Sequence, residues 1–406
     1  MPKKSPLFVS FADRSAVLRQ SRDLKMAGSA HAYVRGNTLK FYEWLAKADI
    51  QKVPNGPPVW ICGDCHVGNL GPLAATDGEI NIQIRDLDQT VIGNPVHDLI
   101  RLGLSLATAA RGSDLPGVTT AKMIEQLVEG YEEALADGDP DLRKQRPDCV
   151  RVVMRRAVRR TWAQLARERI EDTKPTIPLG KRFWPLTKPE RHQIDQLFAT
   201  DEVRRLVTTL RSRKDDAGVE VLDAAYWMKG CSSLGRLRFA VLVGVGKDLS
   251  SEGALCLMDI KEAVRSAAPC YAEAEMSHDY AMRVVEGAQH LSPALGERML
   301  AARFLDKAVF LRELLPQDLK LEIDKLTREE AMKVARYLAM VVGKAHARQM
   351  SAGTREKWRD ELARNRSSTL DAPSWLWSSV VELVASHEAA YLDHCRKYAM
   401  ESDASV

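Results

Sequence analysis

The chain has 406 residues, of which 45% are apolar and 28% charged, with a formal net charge of +4. That length allows two or three lobes and a sizeable core, and the balance excludes a disordered, fibrous or strongly nucleic-acid-coating chain. No run of about eighteen apolar residues occurs, so no membrane span is expected, and Met1-Pro2-Lys3-Lys4 leads into no signal-type apolar stretch.

The elements in chain order begin with a helix over 37–48, where apolar residues recur at helical spacing. Val59 to Cys62 reads as a short strand broken by Gly63, and Ile80 to Ile84 alternates as a strand. The Thr76-Asp77-Gly78 turn joins that strand to residues 70–75 as a hairpin. Helices are expected over 98–111, 119–137, 148–171 and 188–213, with a proline- and lysine-rich loop over 173–189. From about 224 to 263 the text turns β-rich, around glycine turns. A helix over 271–289, a strand over 307–315 and helices over 327–350 and 373–399 complete the chain. This order fits an α+β protein, helix-rich, and lacks the regular alternation of a doubly wound sheet.

Gly63-Asp64-Cys65-His66-Val67-Gly68-Asn69 is the most informative stretch. An Asp followed five residues later by an Asn is the spacing of a kinase catalytic loop, where the Asp accepts the acceptor hydroxyl's proton and the Asn holds Mg²⁺. Arg85-Asp86-Leu87-Asp88 follows at the end of the predicted strand. Asp86 offers a carboxylate to a hard cation, and Asp88 either reaches a second metal or caps the turn. Taken alone, a D-x4-N pair is common in turns; the hairpin and second acidic pair are what lift it toward chemistry. Asp98 is read as a helix N-cap or as an acceptor for loop N–H groups. His66 is read as support for the loop, bonded to a carbonyl or to Asp86.

Cys62-Gly63-Asp64-Cys65-His66 also matches the C-x-x-C-H haem-attachment pattern. That chemistry belongs to exported proteins, and a zinc site would need a second ligand pair at suitable spacing. Seven cysteines, an odd number spread over a long chain, do not form a disulfide framework, so a reduced cytoplasmic protein is expected.

In the β-rich block, Gly230-Cys231-Ser232-Ser233-Leu234-Gly235 forms a small-residue turn whose N–H groups suit phosphate oxygens. Lys261 then sits in an apolar strand, either as a phosphate-contacting lysine or as an edge-strand lysine. Of Glu273, Glu275 and Glu286 on the following helix, Glu286 is the preferred partner for it. The stretch 143–169 holds ten basic residues; it is either a patch for an acidic substrate or, as favoured here, the solvated face of a helix. With only Trp162 nearby, a nucleic-acid partner is not expected.

GDCHVGNLG, RDLDQT, DLIRL, SSLGRLRF, DIKEA, RVVEG, FLRELLP and GKAHARQ, with Lys25-Met26 and Tyr33-Val34-Arg35-Gly36, resemble the bacterial family of unknown function numbered 2252. The GDxHxxN and D-x-D pieces are similar to aminoglycoside phosphotransferases and their protein-kinase-like relatives. That resemblance implies Asp64 as catalytic base, Asn69 and Asp86 as Mg²⁺ ligands and Lys261 as a phosphate contact for ATP. Arg35 and Arg312 lie in family-like motifs and would bind phosphate or brace a loop. Here the glycine turn and lysine follow the catalytic loop instead of preceding it, which implies a circularly permuted kinase-like fold. The expected parts are a helical lobe over 1–215 with the catalytic loop and metal-binding hairpin, a β-rich nucleotide clamp over 216–318, and helices over 319–406 packing back on the helical lobe. The expected activity is transfer of phosphate from ATP to a hydroxyl, on a small molecule more than a protein. AMP transfer, or nucleotide binding without catalysis and signalling through a partner, are the alternatives.

Overall fold

The computed structural model describes residues 9, 11–47, 53–137, 139–160, 176–210, 212–230, 234–247, 254–319, 327–364 and 372–398. Helices α1 (Arg14–Ala27), α2 (Ala30–Gly36) and α3 (Thr38–Leu45) open the chain. A short strand β1 (Val59–Ile61), the hairpin β2 (Leu70–Ala74) and β3 (Ile80–Ile84), and β4 (Val91–Gly93) follow. The register Leu70↔Ile84 to Ala74↔Ile80 closes the expected hairpin, and Asp77 Oδ1 accepts from Glu79 N within its turn. β1 pairs antiparallel with β4, so the segment between them is a closed excursion that returns to its start.

Three long helices come next, α4 (Val96–Gly112), α5 (Gly117–Asp137) and α6 (Asp148–Arg159). The sequence carries apolar residues nearly all round α4, and twelve of its seventeen residues are buried. β5 (Phe183–Trp184), α7 (Lys188–Phe198) and α8 (Asp201–Thr208) lead to the strands β6 (Val219–Trp227), β7 (Arg238–Val245) and β8 (Leu255–Glu262). After α9 (Tyr280–Leu291) and a turn of helix α10 (Pro293–Gly296) come β9 (Met299–Phe304) and β10 (Lys307–Glu313). The chain ends with α11 (Arg328–Ala347), α12 (Ala352–Ala363) and α13 (Ser374–Tyr398).

The six-stranded antiparallel sheet has the order β5-β6-β7-β8-β10-β9. All eight residues of β7 are buried, because both faces of the sheet are covered. Phe239, Val241, Met258, Ile260, Val309 and Leu311 point to the face covered by α7 and α8, while Ala225, Trp227, Ala240, Leu242, Leu257 and Leu314 share the other with Ile177 and Phe183. The remaining core joins the helices, the two small sheets and α9.

Four boundaries depart from the sequence reading. The helix over 188–213 is two helices, because Thr200 caps a second N-terminus by accepting from Val203 N. The helix over 271–289 starts only at Tyr280, where Asp279 accepts from Ala281 N and Met282 N. β5 and β9 are strands that local text did not announce; each is held by a neighbour in the sheet. Since β5, α7 and α8 belong to the sheet's body, that body begins before residue 216. No described helix is long and apolar enough to cross a membrane.

Candidate active site

Asp64 stands just past β1 on a loop that the backbone alone could not hold. Gly63 adopts φ +73°, and a Cβ there would lie 2.1 Å from the Gln89 carbonyl oxygen, so only glycine fits. The fully buried Asp98, in the first turn of α4, accepts from Cys62 N at 2.7 Å and Gly63 N at 3.0 Å. His346 of α11 lies 3.2 Å from the same carboxylate and is itself bonded to Tyr131. Gln349, just beyond α11, donates to Trp60 O and accepts from Trp60 N. The catalytic-loop candidate is therefore fastened to the C-terminal helices from a distance of nearly 290 residues in sequence.

On α4, three residues after Asp98, the fully buried Arg101 donates to Asp64 Oδ1 at 2.9 Å and to Val34 O at 2.6 Å. Burial pushes the Asp64 carboxyl above its ordinary value, against the charge and hydrogen bond of Arg101. His66 Nε2 is 3.9 Å from Asp64 Oδ2, beyond hydrogen-bond reach, and its Nδ1 is buried without a partner. The expected bond from His66 to a carbonyl or to Asp86 is absent; the ring instead packs beside Asp64. Burial and then Arg101 and Arg35 push the imidazole well below its ordinary value, so it is neutral near pH 7. Asn69 turns its amide inward and donates from Nδ2 to Asp64 O at 2.9 Å, which leaves Oδ1 for another partner.

Asp86 follows β3, whose partner in the hairpin starts at Leu70 directly after Asn69, so the hairpin itself brings the two ligand candidates together. Lys261 Nζ donates to Asp86 Oδ1 at 3.3 Å and meets Asp88 Oδ2 at 2.5 Å. The lysine side chain is 2% exposed and that of Asp86 43%. Desolvation would raise the Asp86 carboxyl, but Lys261 and then Arg312 outweigh it and hold it far below the usual range. Asp88 goes the other way, raised by burial and by the charge on Asp86. Its Oδ1 is buried and unpartnered.

Lys261 is an interior-strand residue between β7 and β10, not an edge lysine. Its carboxylate partners are Asp86 and Asp88, and Glu286 makes no ion pair with it. From α9 it is Arg283 that reaches this loop, donating to Asp88 O, Thr90 O and Val264 O. Arg312 braces rather than binds: Nη1 donates to Arg85 O at 2.8 Å and Nε to Asp259 Oδ2 at 3.3 Å. Arg35 lies against the Gly68 backbone, where an added Cβ would be 3.0 Å from its guanidinium carbon. Gly230 and Gly235 both take positive φ, 95° and 99°, at the Lys261 end of the sheet; Ser232 and Ser233 lie outside the described residues.

Sequence reading missed Arg101 and the buried Arg238–Asp259 pair, bonded through both carboxylate oxygens at 2.8 and 2.6 Å. Arg101 had a signal, since its position three after Asp98 puts both on one face of a helix. Asp259 had one too: it sits two residues before Lys261, on the same face of an apolar strand.

Among the described residues, no group of three or more His, Cys, Asp or Glu side chains could hold a metal unaided. Cys62 and Cys65 are buried, and Cys62 Sγ points to Asp86 O at 3.7 Å. The oxygen set of Asn69 Oδ1 and the Asp86 carboxylate suits an ion that shares its coordination with phosphates and water, as Mg²⁺ does. No curated protein and no solved structure matches the chain. The profile of the family described as "Uncharacterized protein conserved in bacteria (DUF2252)" matches residues 14–397, and the chain belongs to that family.

Proposed function

We propose that the protein is an ATP- and Mg²⁺-dependent phosphotransferase on a circularly permuted kinase-like fold, acting on a hydroxyl of a small molecule. The observation that carries this reading is the contact between Lys261 and Asp86, 175 residues apart and 3.3 Å from each other. A kinase site needs a lysine from a strand and an acidic metal ligand from a loop on the two sides of one cleft. The order of parts supports it further. A glycine turn joins β6 and β7, the lysine lies on the next strand, and a helix follows, which is the order of a kinase nucleotide clamp. The end of α11 packs against β1, so the C-terminal helices support the catalytic loop although they follow it in sequence.

In this reading Asp64 orients the acceptor hydroxyl through Oδ2 and takes its proton, while Arg101 keeps Oδ1 in place. A carboxyl raised by burial is the better base for that step. Asn69 and Asp86 would hold Mg²⁺, which supplies charge neutralisation across the phosphates when bound. Lys261 would turn from Asp86 and Asp88 to phosphate oxygens. Because it is 2% exposed, the sheet part and the helical part must separate before a nucleotide reaches it.

Calorimetry of ATP with and without Mg²⁺ tests the proposal on the wild type, Asp86→Ala and Asp64→Asn. Mg²⁺-dependent binding that Asp86→Ala weakens at least tenfold and Asp64→Asn spares is the expected result. Absence of nucleotide binding in the wild type under every condition would overturn it. If binding is found, the mass added to an acceptor then separates phosphate from AMP transfer.

A further inference from the structure

Arg238, Lys261 and Arg312 lie on one face of the neighbouring strands β7, β8 and β10. The fully buried Asp259 answers two of these cations. It accepts both bonds of Arg238, at 2.8 and 2.6 Å, and one from Arg312 Nε at 3.3 Å. Lys261 is left to the loop after β3, where its ammonium meets Asp86 Oδ1 at 3.3 Å and Asp88 Oδ2 at 2.5 Å. A lysine ammonium is a compact point charge. It stands here between two carboxylates, the position that a cation shared by them would take.

The loop does not need the lysine for its shape. Arg312 Nη1 donates to Arg85 O at 2.8 Å, and Arg283 Nη2 donates to Asp88 O at 3.0 Å. Gln89 O accepts from Ser266 Oγ and Gln89 Oε1 from Ala267 N, each at 2.7 Å. Thr90 Oγ1 donates to Ile61 O at 2.6 Å. These bonds hold the segment from Arg85 to Thr90, so both carboxylates keep their place whichever cation sits on them. Asp88 Oδ1 is buried without a partner, an acceptor that the lysine leaves unused.

The ammonium cannot simply step aside. The Lys261 side chain is 2% exposed, and a buried ammonium without an anion is far less stable than a paired one. The Asp86 side chain is 43% exposed, so solvent and ions can approach it. With Lys261 in place, Asp86 presents an approaching divalent ion with a like charge on its own Oδ1. The lysine is released only where a second anion takes it over, and a polyphosphate offers both that anion and ligands to the metal.

We propose that Lys261 is a built-in counter-cation that keeps free divalent metal off Asp86 and Asp88, so that metal is taken up only together with a polyphosphate to which the lysine transfers. The polyphosphate half of this proposal rests on the phosphotransferase reading; the exclusion of free metal does not.

The probe is Mn²⁺ alone, titrated into the full chain without nucleotide and followed by the electron paramagnetic resonance of the free ion. The wild type should show no stoichiometric site. Lys261→Met and Lys261→Gln should each gain one, at least about tenfold tighter than any binding by the wild type, and Lys261→Met/Asp86→Asn should lose it. Mn²⁺ should also raise the melting temperature of Lys261→Met and leave that of the wild type unchanged, because only the variant's folded state binds it. Glutamine keeps an N–H for Asp88, so Lys261→Gln removes the charge with less disturbance to folding. Equal Mn²⁺ binding by the wild type, no gained site in either lysine variant, or a gained site that survives Asp86→Asn would each overturn the proposal. Failure of ATP to bind the wild type, with the gained site present in the variants, would count against the phosphotransferase reading alone.

Discussion

Lys261→Met separates the electrostatic role of the buried lysine from its bulk. Removing one partner of a buried ion pair costs about 3–5 kcal/mol, because the other charge stays buried. Here the two carboxylates differ. The Asp86 side chain is 43% exposed and that of Asp88 14%, with Asp88 Oδ1 buried and unpartnered. Water can reach Asp86 once the lysine is gone, so Asp88 bears most of the penalty, and a loss of about 2–4 kcal/mol is expected. Adding Asp88→Asn should restore most of it, since a neutral amide leaves no buried charge, whereas Asp86→Asn should restore little. The Asp88 carboxyl is raised above its unfolded value, so a proton stabilises the fold at low pH and that gain is lost as pH rises through the folded value. The penalty of Lys261→Met should therefore shrink as pH falls. Urea unfolding followed by circular dichroism on the wild type and these three variants, at pH 7 and pH 5, measures every term. A cost below about 1 kcal/mol, or equal rescue by the two asparagine variants, would refute the reasoning.

Two further predictions concern the scaffold. Asp98→Ala leaves Cys62 N and Gly63 N buried without an acceptor, at about 1–3 kcal/mol each, so a loss of about 2–5 kcal/mol is expected, and Asp98→Asn should lose roughly half as much; equal unfolding midpoints for the two variants would contradict this. Burial pushes His66 well below its ordinary value and His97 and His387 down to about 4, against 6.5 when unfolded. Depressed folded values mean stability is complete above about pH 6.5 and falls as the pH drops toward the folded values, by up to about 1.4 kcal/mol per pH unit for each histidine. Replacing His97 and His387 by Gln should flatten the urea-unfolding midpoint between pH 6.5 and 5, and an unchanged slope would count against the assignment.

Elements whose stability is local were legible from the text. The Thr76-Asp77-Gly78 turn and the alternation of Ile80 to Ile84 marked the hairpin to within a residue, and that hairpin by itself carries Asn69 and Asp86 to one place. The role of Asp98 as acceptor for loop N–H groups was readable for the same reason, since a carboxylate in a first helical turn serves nearby donors. Glu286 failed as the partner of Lys261 because helical phase says which residues share a face, not which face meets Lys261. Gly287 packs against Thr90, where an added Cβ would be 2.4 Å from a side-chain carbon, and Arg283 occupies the approach to the Asp88 loop.

What the sequence by itself determined was the α+β character and the hairpin that places Asn69 near Asp86, both resting on spacings shorter than a few turns of chain. The tertiary structure alone decided that Lys261 meets Asp86 and Asp88, that Arg101 holds Asp64, and that His346 closes on Asp98. These contacts span from 37 to 248 residues. Their partners are chosen by which faces of the sheet and helices bury together, and pairwise spacing in the chain carries no record of that choice.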